Sequence, residues 1–221
     1  LGGQFLLAGA ISAKKDFKNA VDKMILDVQE SGIEVHLNTV VTKEMLEEIK
    51  PDALIVAIGS SPFVLPIEGS ERAIVAHDVL SEKVEVPGEN VVIIGGGLVG
   101  FETAEFLAAR QKKVTVLEMK EKALQDLGPL RQITAQFAMA QMPITIETSA
   151  IVERIEDHAV VASGKEYPYD SVIMAVGSKA NDTSMYTDLG IPTYIVGDCK
   201  KAGVALDAFK DAYHAVLEIN K

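Results

Sequence analysis

Val91-Val92-Ile93-Ile94-Gly95-Gly96-Gly97-Leu98-Val99-Gly100-Phe101-Glu102-Thr103-Ala104 decides the fold of this chain. Its first four residues are all β-branched, a run that suits a strand buried on both faces of a parallel sheet. Gly95-Gly96-Gly97-Leu98-Val99-Gly100 then matches G-x-G-x-x-G, and an amphipathic stretch over residues 98–110 follows. Strand, glycine turn and helix in that order form the context in which this motif cradles a dinucleotide. Gly95 permits the tight turn, Gly97 lets a pyrophosphate approach the backbone, and Gly100 allows helix to pack on strand, while the helix N-terminus faces negative charge. A tight turn without a ligand is the alternative.

The next strand, residues 114–117, ends at Glu118, 18 positions after Gly100 and close to the ~20-residue offset of a ribose-binding carboxylate. Glu118 is suited to accept hydrogen bonds from ribose hydroxyls and to repel a 2′-phosphate, which favours NADH over NADPH. Lys120 leaves an alternative, since a cation two residues on can turn towards such a phosphate or remain a solvated surface lysine. Glu102 carries two readings, contact with a nicotinamide ribose or stabilisation of the helix N-terminus.

Working outward, alternating apolar segments predict strands at residues 144–146 and 172–176 and a helix over 130–142 with Pro129 near its start and Pro143 at its end. Residues 151–155, 158–162 and 165–167 have the pattern of an antiparallel meander. Upstream, the periodicity predicts a helix over 17–31 closed by Gly32, a strand at 33–37, a helical turn at 44–49 and a buried strand at 53–58. Downstream come a strand at 194–196 and a helix over 206–219. Residues 61–88, with Pro62, Pro66, Pro87, Gly69 and Gly88, read as a connector between two folding units, with a boundary near Val79. The expected fold is α/β: a Rossmann-like domain of parallel sheet plus antiparallel meander, joined to a second α/β unit.

The chain has 221 residues, 48% hydrophobic and 24% charged, enough to bury a sizeable core. Its net charge of −11 repels phosphate backbones and anionic lipid, so neither nucleic acid nor a membrane surface is an expected partner. No apolar run reaches the ~18 residues of a membrane span. The single cysteine, Cys199, supplies neither a disulfide nor a four-ligand zinc site, and a reducing cytoplasm fits best. His36, His77, His158 and His214 are scattered without metal spacing, so no metal ligand and no catalytic side chain is nominated.

Two strand ends echo one another, Ala57-Ile58-Gly59-Ser60 and Ala175-Val176-Gly177-Ser178, and a third, Gly197-Asp198-Cys199, sets a carboxylate before a helix. A Gly-Asp turn alone is commonly an Asx-type turn. In series with the opening Leu1-Gly2-Gly3-Gln4, Ala76-His77-Asp78-Val79-Leu80 and the glycine motif, however, the sequence resembles the C-terminal half of the old yellow enzyme-like iron-sulfur flavoprotein reductases. These are the NADH:flavin oxidoreductases that include 2-enoate and 2,4-dienoyl-CoA reductases and trimethylamine dehydrogenase. The resemblance covers nearly the whole chain. It implies an NAD(P)-binding domain at 79–178 inserted in an FAD-binding domain formed by 1–78 and 179–221.

The same resemblance implies that Asp198 contacts the ribityl or pyrophosphate region of FAD, and that Gly3, Gln4, Ala57 and Gly59 lie near it. The cofactor-binding positions are then Gly95, Gly96, Gly97, Leu98, Val99, Gly100, Glu118 and Gly177 for the nucleotide and Gly3, Gln4, Ala57, Gly59 and Asp198 for the flavin. Disulfide reduction is disfavoured for want of a cysteine pair. The family's first FAD-binding βαβ unit is expected upstream of Leu1, as are the barrel with FMN and the iron-sulfur cysteines, so the chain reads as a fragment whose FAD half is incomplete. Its expected partners are the upstream part of the same polypeptide, small dinucleotides and, through an uncovered strand edge, a second copy of itself. Hydride passage from NADH to flavin, feeding an enoate- or enoyl-type reduction elsewhere, is the leading expectation. A non-catalytic nucleotide-binding module is the alternative.

Overall fold

The computed structural model describes residues 1–11, 14–125 and 127–221. In chain order its main elements are α1 (Lys15–Glu30), α2 (Lys43–Ile49), β1 (Leu54–Val56), β2 (Ser60–Pro62), β3 (Ile74–Val75), α3 (Ala76–Leu80), β4 (Asn90–Ile94), α4 (Leu98–Ala108) and β5 (Lys113–Leu117). They continue with α5 (Pro129–Met139), β6 (Ile144–Glu147), β7 (Val152–Ile155), β8 (Ala159–Ala162), β9 (Lys165–Pro168), β10 (Ser171–Met174), β11 (Ser178–Ala180), β12 (Thr193–Ile195) and α6 (Ala205–Ile219). Two units result: residues 2–23 with 62–177, and residues 24–61 with 178–221 and residue 1.

The larger unit is organised around β4. Five strands pair in the order β3-β10-β4-β5-β6, every neighbour parallel. Successive side chains of a strand point to opposite faces, so the β-branched run splits between two cores. Val91 and Ile93 pack with Ala104, Phe106 and Leu107 of α4 and with Val79 and Leu80 of α3. Val92 and Ile94 pack with Ile155, Val160, Ala162 and Tyr167 of the antiparallel layer β7-β8-β9. A parallel sheet needs both faces covered, and here helices cover one and the meander the other. The turn between β8 and β9 is Ser163-Gly164, with φ of 48° and 73°, the backbone sense that matches strand twist in a two-residue hairpin.

This unit takes in more of the chain than its expected start at residue 79. β3 pairs with β10, and Ala76, Val79 and Leu80 of α3 enter the core, so much of the presumed connector is part of the unit. Residues 2–23 also belong to it rather than to the unit of 53–58. The helix expected over 130–142 stops at Met139, and the one expected over 98–110 stops at Ala108.

In the smaller unit β1 pairs with β12 in parallel, β2 pairs with β11, and Leu46, Val56, Tyr186 and Cys199 form the core. The strand expected at 33–37 does not form. Those residues pair with no strand among the described residues, and Ile33 and Leu37 are 63% and 60% exposed. Period-2 apolar patterning becomes a strand only beside a neighbour that supplies cross-strand contacts. No described helix is long and apolar enough to cross a membrane.

Candidate functional site

Register fixes what meets at the carboxyl end of the larger sheet. Ile94 lies opposite Leu117 on one side and Met174 on the other, so Gly95, Glu118 and Ala175 emerge side by side. The Gly95 N–H donates to the Leu117 carbonyl at 2.9 Å, and the Ala175 N–H to the Ile94 carbonyl at 2.8 Å. Gly95 has φ +110°, and a Cβ there would come within 2.4 Å of the Ala175 oxygen. Gly100 packs closer still, since a Cβ on it would lie 1.9 Å from the Gly95 oxygen. These two glycines let helix and strand ends touch, as the motif requires.

Gly97 differs from both. Apart from its two chain neighbours, no residue would place a heavy atom within 4 Å of a Cβ built on it, so its outer side is open. Half-buried Leu98 and Val99 follow as the first residues of α4, whose leading N–H groups have no intrahelical partners. Facing the loop from β5, Glu118 is only 7% exposed. One carboxylate oxygen accepts the Gly96 N–H at 2.8 Å and the other the Lys120 N–H at 2.8 Å. A carboxylate offers about four lone-pair sites, so two remain for hydroxyl donors. Open space over Gly97, a helix N-terminus and an anchored carboxylate fit a dinucleotide's phosphate, backbone and ribose needs. Gly177, beyond β10, is exposed at φ +99°, with its carbonyl accepting the Phe63 N–H at 2.9 Å.

Glu102 has a side-chain partner that neither sequence reading named. Its carboxylate pairs with Lys14, and the two side chains are 12% and 14% exposed. The pair borders a pocket of ≈ 180 Å³ flanked by Leu98, Phe101 and Glu105 of α4. Sequence reasoning missed Lys14, because nothing local joins residues 88 positions apart.

In the smaller unit, paired β1 and β12 deliver Ala57 to Gly59 and Gly197-Asp198 to neighbouring positions. The Asp198 carboxylate accepts the Ser60 hydroxyl at 2.9 Å and the Gly203 N–H at 3.2 Å. Asp211 of α6 accepts the Gly197 N–H at 3.2 Å and the Lys200 ammonium at 2.6 Å. The Lys200 hydrogen bond, helped by the Gly197 amide, holds the Asp211 carboxyl below its ordinary value. Ser60 and Asp211 were not nominated from sequence, although Ser60 sits inside the echoed Gly-Ser turn. Exposed Gly3 and Gln4 lie in a 3-10 segment, Gly3–Gly9, of the larger unit and so are not gathered into one unit with Ala57, Gly59 and Asp198.

Comparison with known proteins gives this geometry a context. The family model described as pyridine nucleotide-disulphide oxidoreductase matches residues 8–202. An NADH oxidase of Thermoanaerobacter brockii is 32% identical, over 99% of this chain and 36% of the relative. A cinnamate reductase of Clostridium sporogenes is 33% identical, over 99% of this chain and 34% of the relative. Among solved structures, a 2-naphthoyl-CoA reductase in complex with 2-naphthoyl-CoA superposes with a TM-score of 0.89 at 29% identity, covering 97% of this chain and 34% of that one. The chain thus spans about a third of the length of these relatives.

Proposed function

We propose, from the premise that this chain belongs to the pyridine nucleotide-disulphide oxidoreductase family, that it is the NADH-binding and flavin-contacting portion of a reductase acting on an enoate- or enoyl-type substrate. The observation that carries the reading is the convergence of the open side of Gly97, the α4 N-terminus and Glu118 at adjoining strand ends. When bound, nicotinamide supplies a hydride and FAD accepts it. The chain's own part is to bind and orient. Gly97 and the first N–H groups of α4 seat the pyrophosphate, with Leu98, Val99 and Gly177 beside it. Glu118 accepts the ribose hydroxyls and disfavours a 2′-phosphate. Asp198, braced by Ser60 and Gly203, accepts hydrogen bonds from the flavin's ribityl or pyrophosphate end, with Ala57 and Gly59 beside it. In this reading Gly3 and Gln4 also lie near the flavin.

The enoate or enoyl assignment rests on the cinnamate and naphthoyl-CoA reductases among the relatives. The reducing site, with its FMN and iron-sulfur cluster, is placed in a barrel outside this chain. Disulfide chemistry is not assigned, because the single thiol, Cys199, is buried against the carbonyls of Val56 and Val196. The two-stranded β1-β12 sheet supports completion of the flavin half by further polypeptide, from the same chain upstream or from a second copy. A reducing cytoplasm and small dinucleotides, not nucleic acid, complete the proposal, in keeping with the net charge of −11.

Flavin absorbance provides the test. The chain mixed with FAD, and a version extended by its upstream coding sequence, are titrated with NADH without oxygen. Bleaching that is stronger in the extended version is expected. A colourless chain that binds NADH, whose extension also fails to hold flavin, would point instead to a nucleotide-binding module. Tight stoichiometric FAD on the short monomer would overturn the incompleteness argument.

A further inference from the structure

We infer that Gly96, the variable position of the glycine motif, sets the choice between NADH and NADPH by seating Glu118 rather than by touching nucleotide. The inference rests on the reading of Glu118 as the ribose carboxylate. Gly96 is buried, and its backbone lies outside the positive-φ region, so its conformation is open to any L-residue. What stands nearest to a side chain there is Glu118: a Cβ at position 96 would lie 2.8 Å from the Glu118 Cβ and 2.9 Å from its Oε2. That same Oε2 accepts the Gly96 N–H at 2.8 Å. Missing side chain and donated hydrogen are two halves of one seat. The Lys120 N–H holds Oε1 from the other side, so the carboxylate is fixed at both oxygens before any ribose arrives.

The other motif glycines meet different partners. Gly95 and Gly100 are packed against backbone, and Gly97 faces open space. A methyl at 95 or 100 therefore disturbs the turn, and one at 97 meets the pyrophosphate that both nucleotides share. A methyl at 96 displaces the one group that distinguishes a ribose hydroxyl from a ribose phosphate. Gly96 is thus a positioning residue with a selective consequence, and its substitution is expected to alter the ratio of affinities more than the affinity for the shared pyrophosphate.

The experiment measures Kd for NADH and for NADPH by calorimetry on the full chain, for wild type, Glu118→Ala, Gly96→Ala and the double variant. Glu118→Ala should lower the NADPH-to-NADH Kd ratio about tenfold, the loss of charge-assisted hydrogen bonds to ribose. Gly96→Ala should lower the same ratio at least roughly threefold, and the double variant should match Glu118→Ala in this ratio, because two changes acting through one carboxylate do not add. An unchanged ratio in Glu118→Ala defeats the underlying reading. A changed ratio there with an unchanged ratio in Gly96→Ala, or additive effects in the double variant, overturns the present inference. Should Gly96→Ala not fold, hydrogen exchange at the Gly96 amide decides: Glu118→Ala should speed it at least about tenfold, and unaltered exchange rejects the seat.

Discussion

At the scale of single residues, the glycine motif separates three physical demands that its one-letter pattern conceals. Closeness to backbone explains Gly95 and Gly100, open space explains Gly97, and closeness to the Glu118 side chain explains Gly96. Gly97→Val should therefore weaken NADH and NADPH alike, by more than about tenfold, since its branched side chain fills the volume the pyrophosphate needs. Parallel calorimetric titrations check it, and a variant that loses only one nucleotide would contradict it. The Lys14–Glu102 pair poses a different question, because little of either side chain reaches solvent. Removing one partner strands a largely buried charge, whereas replacing both with apolar residues does not. Lys14→Met alone should destabilise the larger unit by about 3 kcal/mol, and Lys14→Met with Glu102→Leu should recover most of that loss in urea melts. The placement of Gly95, Gly97, Gly100 and Glu118 at the sheet's carboxyl end was legible because strand, turn and helix lie within one short segment. Lys14 and Ser60 were not, since their partners are 88 and 138 positions away and only the folded chain brings them near.

Among the elements, legibility followed how much a segment depends on its neighbours. β4 and β5 carry their own patterns and formed where expected, and α4 began where expected. The meander did likewise, and its second turn closes at Ser163-Gly164. β2 and β3 span three and two residues, too short for periodicity to register, and they form because β11 and β10 lie alongside. The stretch 33–37 is the converse, a clear alternation without a partner strand. α3 offers a test of burial. Packing pushes the imidazole of His77 below its ordinary value of 6.5, with nearby Asp78 opposing. Between the folded value and 6.5 the unfolded chain binds the proton more readily, so stability falls as pH drops through that window and is fully present above it. Melting temperatures recorded from about pH 7.5 down to about pH 5.5 should decline, and His77→Gln, which cannot titrate, should show a shallower decline. An identical slope in the variant would remove His77 as a cause.

For the whole molecule, the contrast lies between a five-stranded sheet covered on both faces and a two-stranded one whose unit leaves Ile33, Leu37, Leu206 and Tyr213 largely exposed. Local stability tracks buried apolar contact. Amide exchange should accordingly be slowest at Ile93 and Val116, both 0% exposed, and fastest across residues 33–41, as mass spectrometry of peptic fragments would report. Comparable protection in the two regions would mean that unit is already completed in solution, for instance by a second copy.

Cys199 gives that smaller unit a reporter of its own. As the one cysteine in the chain, 5% exposed and hydrogen-bonded to the Val56 and Val196 carbonyls, it is sealed within the core that also holds Leu46 and Tyr186. A thiol-directed dye can reach it only when that core opens, so labelling kinetics time the breathing of one unit with no signal from the other. Added FAD that slows the labelling would register occupancy of the flavin site proposed there without any redox turnover, even where the yellow colour is too weak to read.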